Sequence, residues 1–385
     1  MRSAVILSGA LGSGHDVVSS VVGRSLEAQG WQVRTLDCMA LLGSAGAKLG
    51  DKVFRRITAM PGLYDGLHFA HFRRGGAMVR AIDRAATRRL VPAVRSELAE
   101  EPTDLLVATF ATGASVAAKL REVTSPQKTV VLCTDVDLYW LWVWEEIDIF
   151  LVTSRAAAGT VRRYAPRARI QIVPQPVRPG FYNAPDQVSA RRELGVPDGA
   201  PCVLVMAGGW GMGPVEEVAR TLGATGVHVL AVAGHDTELK SRLERSGLAC
   251  VRAFGFTDKI PQLMAASDVV ITTPGATTCS EARVVGRHLV ILDTLPGHGR
   301  ENLQHQLELG DADACGPSAV EVRAVVSAVL EGIARPLPSV VRRAGEWPDA
   351  FTRALCSLGL YEAPVMTAVE DSRPRSLETL SPSLV

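Results

Sequence analysis

Short continuous apolar runs alternate with longer amphipathic stretches along this chain, and the alternation starts twice from a strand, a glycine loop and a helix. Residues 4–7 (AVIL) predict a strand, 8–15 (SGALGSGH) a loop, and 16–29 a helix closed by Gly30. Residues 31–36 alternate as a second strand, with further strands predicted at 105–109, 129–133 and 149–153. The pattern restarts with a strand at 202–207, a glycine loop at 208–214, a helix at 215–222, and strands at 227–233, 251–254, 269–272 and 289–292. Strands apolar on both sides, alternating with helices, imply α/β structure with parallel sheets covered on both faces. The expected fold is two Rossmann-like, doubly wound domains facing each other across a cleft. Expected boundaries are 1–178 for the first domain, 179–199 for a proline-rich linker and 200–335 for the second domain. Residues 336–363 are expected as helices packing back on the first domain. The Ser-, Pro- and Glu-rich 364–385 are expected as a disordered tail.

Composition narrows the picture. A net charge of +1 gives no whole-chain reason to expect nucleic acid. Basic residues nevertheless crowd 48–95, where Arg55, Arg56, Arg73, Arg74, Arg80, Arg84, Arg88, Arg89 and Arg95 face only Asp51, Asp65 and Asp83. Seven cysteines without a CxxC pair suit reduced thiols, not a disulfide frame or zinc site. No apolar run reaches the ~18 residues of a membrane span, and 4–11 is too short for a signal peptide. The expected location is cytoplasmic, with contact to the inner face of the cell membrane as a further expectation.

A glycine loop between strand and helix points backbone N–H groups and a positive helix end at a phosphate. The first loop, with Gly12 and Gly14, has GxxGxG spacing and ends in His15, which dinucleotide loops do not need. A nicotinamide site and a ligand-free turn are the alternatives to a catalytic loop. In that last reading His15, the side chain suited to proton transfer near neutrality, deprotonates an acceptor hydroxyl. The second loop, with Gly209, Gly211, Met212 and Gly213, is the stronger diphosphate candidate. Glu216 and Glu217 follow it and are expected to point away. The run 273–282 (TPGATTCSEA) follows a strand. Thr277 and Thr278 can meet phosphate, and Glu281 can accept ribose hydroxyls. The competing reading makes a threonine the helix N-cap and Glu281 its capping-box partner.

Taken together, SGALGSGH at 8–15, TDVDLYWLWVWEEID at 134–148, PVRPGF at 176–181, MAGGWGMGP at 206–214, GFTDKIPQLMAASD at 255–268 and TPGATTCSEA at 273–282 resemble one known family. It is that of monogalactosyldiacylglycerol synthases and processive diacylglycerol glucosyltransferases, and the resemblance runs from about residue 4 to 315. It implies the GT-B fold, shared with the lipid II-forming N-acetylglucosaminyltransferase. It also implies inverting, metal-independent transfer from a UDP-sugar to a diacylglycerol-type or other apolar acceptor. His15 matches the family's base and Gly211 and Met212 its diphosphate loop. Phe256 matches a base-contacting position, Glu281 the ribose glutamate and Asn302 an asparagine of the sugar site. Asp135 falls in the family's TD pair and is expected to be hydrogen-bonded in the cleft. The family's histidine after that pair is Tyr139 here, a second histidine is Trp144, and His298 with Gly299 replaces a polar pair.

The DxD formed by Asp135 and Asp137 could suggest a divalent ion, but the expectation is no metal and no cofactor. Tyr139, Trp140, Trp142 and Trp144 alternate at period two, which reads as a strand with one covered face. Alternatively they join Arg55 and Arg56 in a surface for the acceptor and an anionic membrane. The residues 53–64 resemble the family's membrane-reaching insertion. Two rival functions stay open: a GT-B-fold sugar-nucleotide epimerase, and a non-catalytic nucleotide-sugar-binding protein.

Overall fold

The computed structural model describes residues 2–9, 13–43, 76–123, 127–133, 135–136, 138–208, 213–294, 298–310, 312–333 and 346–361. In the N-terminal half, β1 (Ser3–Ser8), β2 (Gln32–Asp37), β3 (Leu105–Ala108), β4 (Lys128–Cys133), β5 (Ile149–Val152) and β6 (Ile170–Ile172) form a parallel sheet ordered β2-β1-β3-β4-β5-β6. Its apolar strands are covered on both faces. Ala4 and Ile6 point into a layer with Val18, Val22 and Leu26 of the helix Ser13–Glu27. Val5 and Leu7 point into another, with Leu90 and Val94 of the helix Ala77–Glu100 and Leu120 of the helix Ala111–Val123. This period-two division of one continuous apolar strand is what a doubly covered sheet requires.

In the C-terminal half, β7 (Cys202–Met206), β8 (His228–Val232), β9 (Val251–Phe254), β10 (Val269–Thr272), β11 (His288–Leu292) and β12 (Ala312–Cys315) form a second parallel sheet, ordered β12-β11-β10-β7-β8-β9. Read from β9 this is the doubly wound order 3-2-1-4-5-6. Each sheet therefore has a switch point where the winding reverses, between β1 and β3 in one and between β7 and β10 in the other. The crevice outside the carboxyl ends of such strands is where ligands bind in open α/β sheets.

Two connections tie the halves together. Within the stretch expected as a linker, Phe181 in the short helix Pro179–Tyr182 and Ala190 and Leu194 in the helix Gln187–Leu194 are core residues of the C-terminal half. Arg191 anchors that segment through both carboxylate oxygens of Asp268 at 2.9 Å. Beyond the second sheet, the helix Glu346–Ser357 lays Trp347, Phe351 and Leu355 on the first sheet, in the layer of Ala4 and Ile6. Gln171 Nε2 donates to Ala350 O at 2.8 Å, and the Arg2 guanidinium lies 5.7 Å from the Trp31 ring and 5.9 Å from that of Tyr361.

Two strands were not anticipated, β6 and β12, each at one edge of its sheet. The tryptophan segment is not a strand. Trp140–Trp142 form a 3₁₀ turn, and Trp142 is core at 1% exposure while Trp144 packs against the same cluster. Trp142 is thus no part of a surface. The tail 364–385 and the segment 53–64 lie outside the described residues.

Candidate functional site

At the first switch point β1 ends in Ser8 and the chain passes close under β3's loop. A Cβ on Gly9 would stand 2.3 Å from Phe110 Cδ1, so only glycine fits there. The helix Ser13–Glu27 then carries His15 back across the strand ends. His15 Nδ1 lies 2.9 Å from Thr109 O. A carbonyl only accepts, so Nδ1 carries a proton, and in the neutral ring Nε2 is the nitrogen with the free lone pair. The ring is fixed by Phe110 edge-on at 5.2 Å and by Trp142 at 6.3 Å. Beneath it Ser19 Oγ sits 2.9 Å from Ser8 Oγ, 2.8 Å from His15 O and 2.7 Å from Thr109 Oγ1. The imidazole is held in one tautomer on a polar base, between aromatic walls.

At the second switch point two helices start without a side-chain cap. Pro214 precedes the helix Val215–Gly223, and Gly275 precedes the helix Ala276–Val285. Their first N–H groups therefore remain for an anion. Glu216 does not oppose one: Arg242 Nε bonds it at 2.6 Å and Arg220 at 3.0 Å. The Arg242 hydrogen bond is the chief cause that holds its carboxyl below the usual range. Thr277 and Thr278 lie inside the first turn of the helix Ala276–Val285, with Gly275 as the cap, so the capping-box arrangement does not form. Glu281, one turn further, is 2% exposed and paired with Arg178, which meets Oε1 through Nε and Nη2, each at 2.8 Å. Burial pushes the Glu281 carboxyl up to about 7 against the opposing pull of Arg178.

The two switch points meet. A Cβ on Gly14 would lie 3.8 Å from Thr277 Oγ1, so the start of the helix bearing His15 approaches the uncapped helix bearing Glu281. At the far end of the second sheet, Phe256 is 67% exposed and stacks on His235 with ring centroids 4.1 Å apart. Such a pair offers an open aromatic face to a planar base. Asn302 is buried in the helix His298–Glu308. Between the halves lies a cavity of about 280 Å³ lined by Thr153 and Gln175 on one side and Ser280, Arg283 and His305 on the other. Burial holds His305 below its ordinary value.

His15, Gly14, Thr277, Thr278 and Glu281 are thus brought together, and Gly213 joins them at the foot of β7: a Cβ there would meet Thr273 Cγ2 at 3.7 Å. Asp135 is not joined to His15. It lies past β4, half-buried, and forms no hydrogen bond or ion pair with another described residue. Tyr139, Trp140 and Trp144 are half-buried around the 3₁₀ turn, with Arg80 over Trp140 and Lys119 over Trp144. The expectations for Gly12, Gly209, Gly211, Met212, Asp137, Arg55, Arg56 and the His298 side chain lie outside the described residues. Among the described residues no three His, Cys, Asp or Glu side chains gather as a metal site. Sequence reasoning assigned no role to Arg178, His235 or Thr109. The quoted run 176–181 contained Arg178, whereas a backbone carbonyl carries no residue signal at all.

Residues 213–330 match the glycosyltransferase family 28 C-terminal domain. A probable chloroplastic monogalactosyldiacylglycerol synthase of Nicotiana tabacum is 31% identical over 191 residues, 47% of this chain and 34% of that protein. A processive diacylglycerol beta-glucosyltransferase of Bacillus subtilis is 27% identical over 180 residues, 45% of this chain and 47% of that one. The chain thus spans about a third to a half of the length of these relatives. Among solved structures, Acinetobacter baumannii MurG superposes with a TM-score of 0.57 at 13% identity, covering 93% of this chain and 99% of that one. The UDP-GlcNAc 2-epimerase of Neisseria meningitidis, bound to UDP-GlcNAc, gives 0.57 at 9% identity, covering 93% and 100%. The fold is GT-B, and it is shared by a transferase and an epimerase alike.

Proposed function

We propose that this chain is an inverting glycosyltransferase that moves a hexosyl group from a UDP-sugar to a diacylglycerol-type or other apolar acceptor. One observation carries the reading: His15 donates through Nδ1 to Thr109 O, leaving Nε2 to accept a proton, and it directly follows Gly14, where a Cβ would stand 3.8 Å from Thr277 Oγ1 on the uncapped helix that also bears Glu281. In this reading the acceptor hydroxyl gives its proton to Nε2 and its oxygen attacks the anomeric carbon from the face opposite the departing UDP. Backbone N–H groups at the two uncapped helix starts offset the charge that develops on the diphosphate. Glu281 takes the ribose hydroxyls, the Phe256–His235 pair the base, and Asn302 with His298 the sugar. The similarity to lipid glycosyltransferases supports an apolar acceptor. No metal or cofactor takes part. The chain would work at the inner face of the cell membrane as a peripheral protein, and among the described residues no helix is long and apolar enough to cross it.

The test is turnover of UDP-glucose, UDP-galactose and UDP-N-acetylglucosamine with diacylglycerol in mixed micelles, following UDP release and glycolipid together, with and without EDTA. Acceptor-dependent UDP release that survives chelation is expected. Interconversion of the nucleotide sugars without acceptor would make the protein an epimerase. Binding without turnover would leave it a sensor, and loss with EDTA restored by magnesium would return Asp135 to the site.

A further inference from the structure

We propose that Arg178 is a positioning residue for the nucleoside: it grips one oxygen of the buried Glu281 carboxyl, favours its ionised form and leaves the other oxygen to a ribose hydroxyl. The inference rests on the reading of Glu281 as the ribose acceptor. Both contacts of Arg178 fall on Oε1, and no hydrogen bond among the described residues reaches Oε2. A carboxylate bound so asymmetrically keeps acceptor capacity for a ligand, whereas a purely structural pair in a buried site is usually satisfied on both oxygens.

The surroundings give Arg178 this task alone. Glu281 sits on the helix Ala276–Val285, against which the helices Pro179–Tyr182, Ile260–Ala266 and His298–Glu308 and the strands β10 and β11 pack. Ile260–Ala266 and β10 carry no ionisable side chain. Cys279 and Arg283 share its helix, and Tyr182, His288, Arg300, Glu301, His305 and Glu308 belong to the other elements, yet among the described residues only Arg178 acts on the Glu281 charge, favouring the ionised form against burial. Arg178 itself caps the start of Pro179–Tyr182 and lies 4.7 Å over the Phe181 ring, whose side chain is core. The guanidinium is thereby pinned to the C-terminal half at the point where the chain enters it. Lysine could supply the charge, but its single ammonium cannot repeat the two-nitrogen grip on one oxygen.

The readout that isolates this role is the ratio of affinities for UDP and 2′-deoxy-UDP across pH, because the phosphates of both ligands titrate alike and cancel. In the wild type the ratio should be roughly tenfold when Glu281 is ionised and fall towards unity as it protonates on acidification. In Arg178→Gln the midpoint of that fall should move to higher pH by about one unit or more, since a charge that favours ionisation is gone. Arg178→Lys should bring the midpoint most of the way back. An unshifted midpoint in Arg178→Gln, with the wild type discriminating, overturns the inference and leaves the ribose reading standing. Equal binding of the two nucleotides by the wild type at every pH overturns both. Should Arg178→Gln fail to fold, Arg178→Lys alone decides: a midpoint above the wild type by a fraction of a unit supports the role. A uniform loss of affinity for both ligands with no midpoint change overturns it.

Discussion

Glu281 holds a proton in the folded chain at pH values where the unfolded chain has released it, since burial raises it from 4.5 to about 7. Between those values the folded state binds more protons, so its contribution to stability is complete below about pH 4.5 and is lost as pH rises to about 7. That rise corresponds to about 3 kcal/mol. Glu281→Gln should therefore melt above the wild type at pH 8 and converge with it near pH 4.5, while binding UDP about tenfold more weakly. Thermal melts across pH beside a UDP titration check both parts. A residue that weakens the fold at working pH and strengthens ligand binding is one retained for the ligand. His15 makes the complementary case, with its proton on Nδ1 and its ring wedged between Phe110 and Trp142. His15→Ala should lower turnover roughly 100- to 10,000-fold with UDP affinity nearly unchanged. Near-normal turnover in a folded variant would sink the general-base assignment.

Secondary elements do two kinds of work here, and the tryptophans separate them. Trp142 in its 3₁₀ turn and Trp347 in the helix Glu346–Ser357 are both fully buried, in opposite layers of the first sheet. Truncating either to alanine should cost about 3–5 kcal/mol in urea unfolding. Only Trp142→Ala should also slow turnover in protein that remains folded, because Trp142 borders His15 and Trp347 does not. Equal kinetic effects from both would show that activity follows stability alone. The helix Glu346–Ser357 also closes the chain on itself, so its loss would open the first sheet's layer around Ala4 and Ile6 to water.

For the whole molecule, the helix Ala77–Glu100 carries a row of exposed basic side chains. Arg84, Arg88, Arg89 and Arg95 are exposed along it, with Ile82 at 59% exposure beside them. If this face meets an anionic bilayer, each arginine contributes about 1 kcal/mol near the surface. Replacing Arg84, Arg88 and Arg95 with glutamine should then weaken liposome binding about a hundredfold at low ionic strength and erase most of its salt dependence. Co-sedimentation with vesicles of graded phosphatidylserine content measures it. Binding that ignores both lipid charge and these arginines would point to a soluble acceptor.

The doubly wound fold was legible in the sequence because its central strands are apolar on both sides, as in residues 4–7 and 203–205, and alternate with helices that can cover both faces of a parallel sheet. The glycine loops and the run around Glu281 were legible for a related reason: a phosphate asks for bare backbone, and a ribose diol for a carboxylate, at a fixed spacing from a strand end. Only the tertiary structure decided the rest. The edge strands β6 and β12 lack a continuous apolar run because one side of an edge strand has no neighbour to bury it. The period-two tryptophans spelled a strand, but packing against the helix Ala111–Val123 folded them into a turn and took Trp142 into the core. The tautomer of His15 depends on a carbonyl 94 positions away, and the charge on Glu281 on an arginine 103 positions away. Such pairings arise from how each half brings distant segments of its chain together, and no local pattern encodes them.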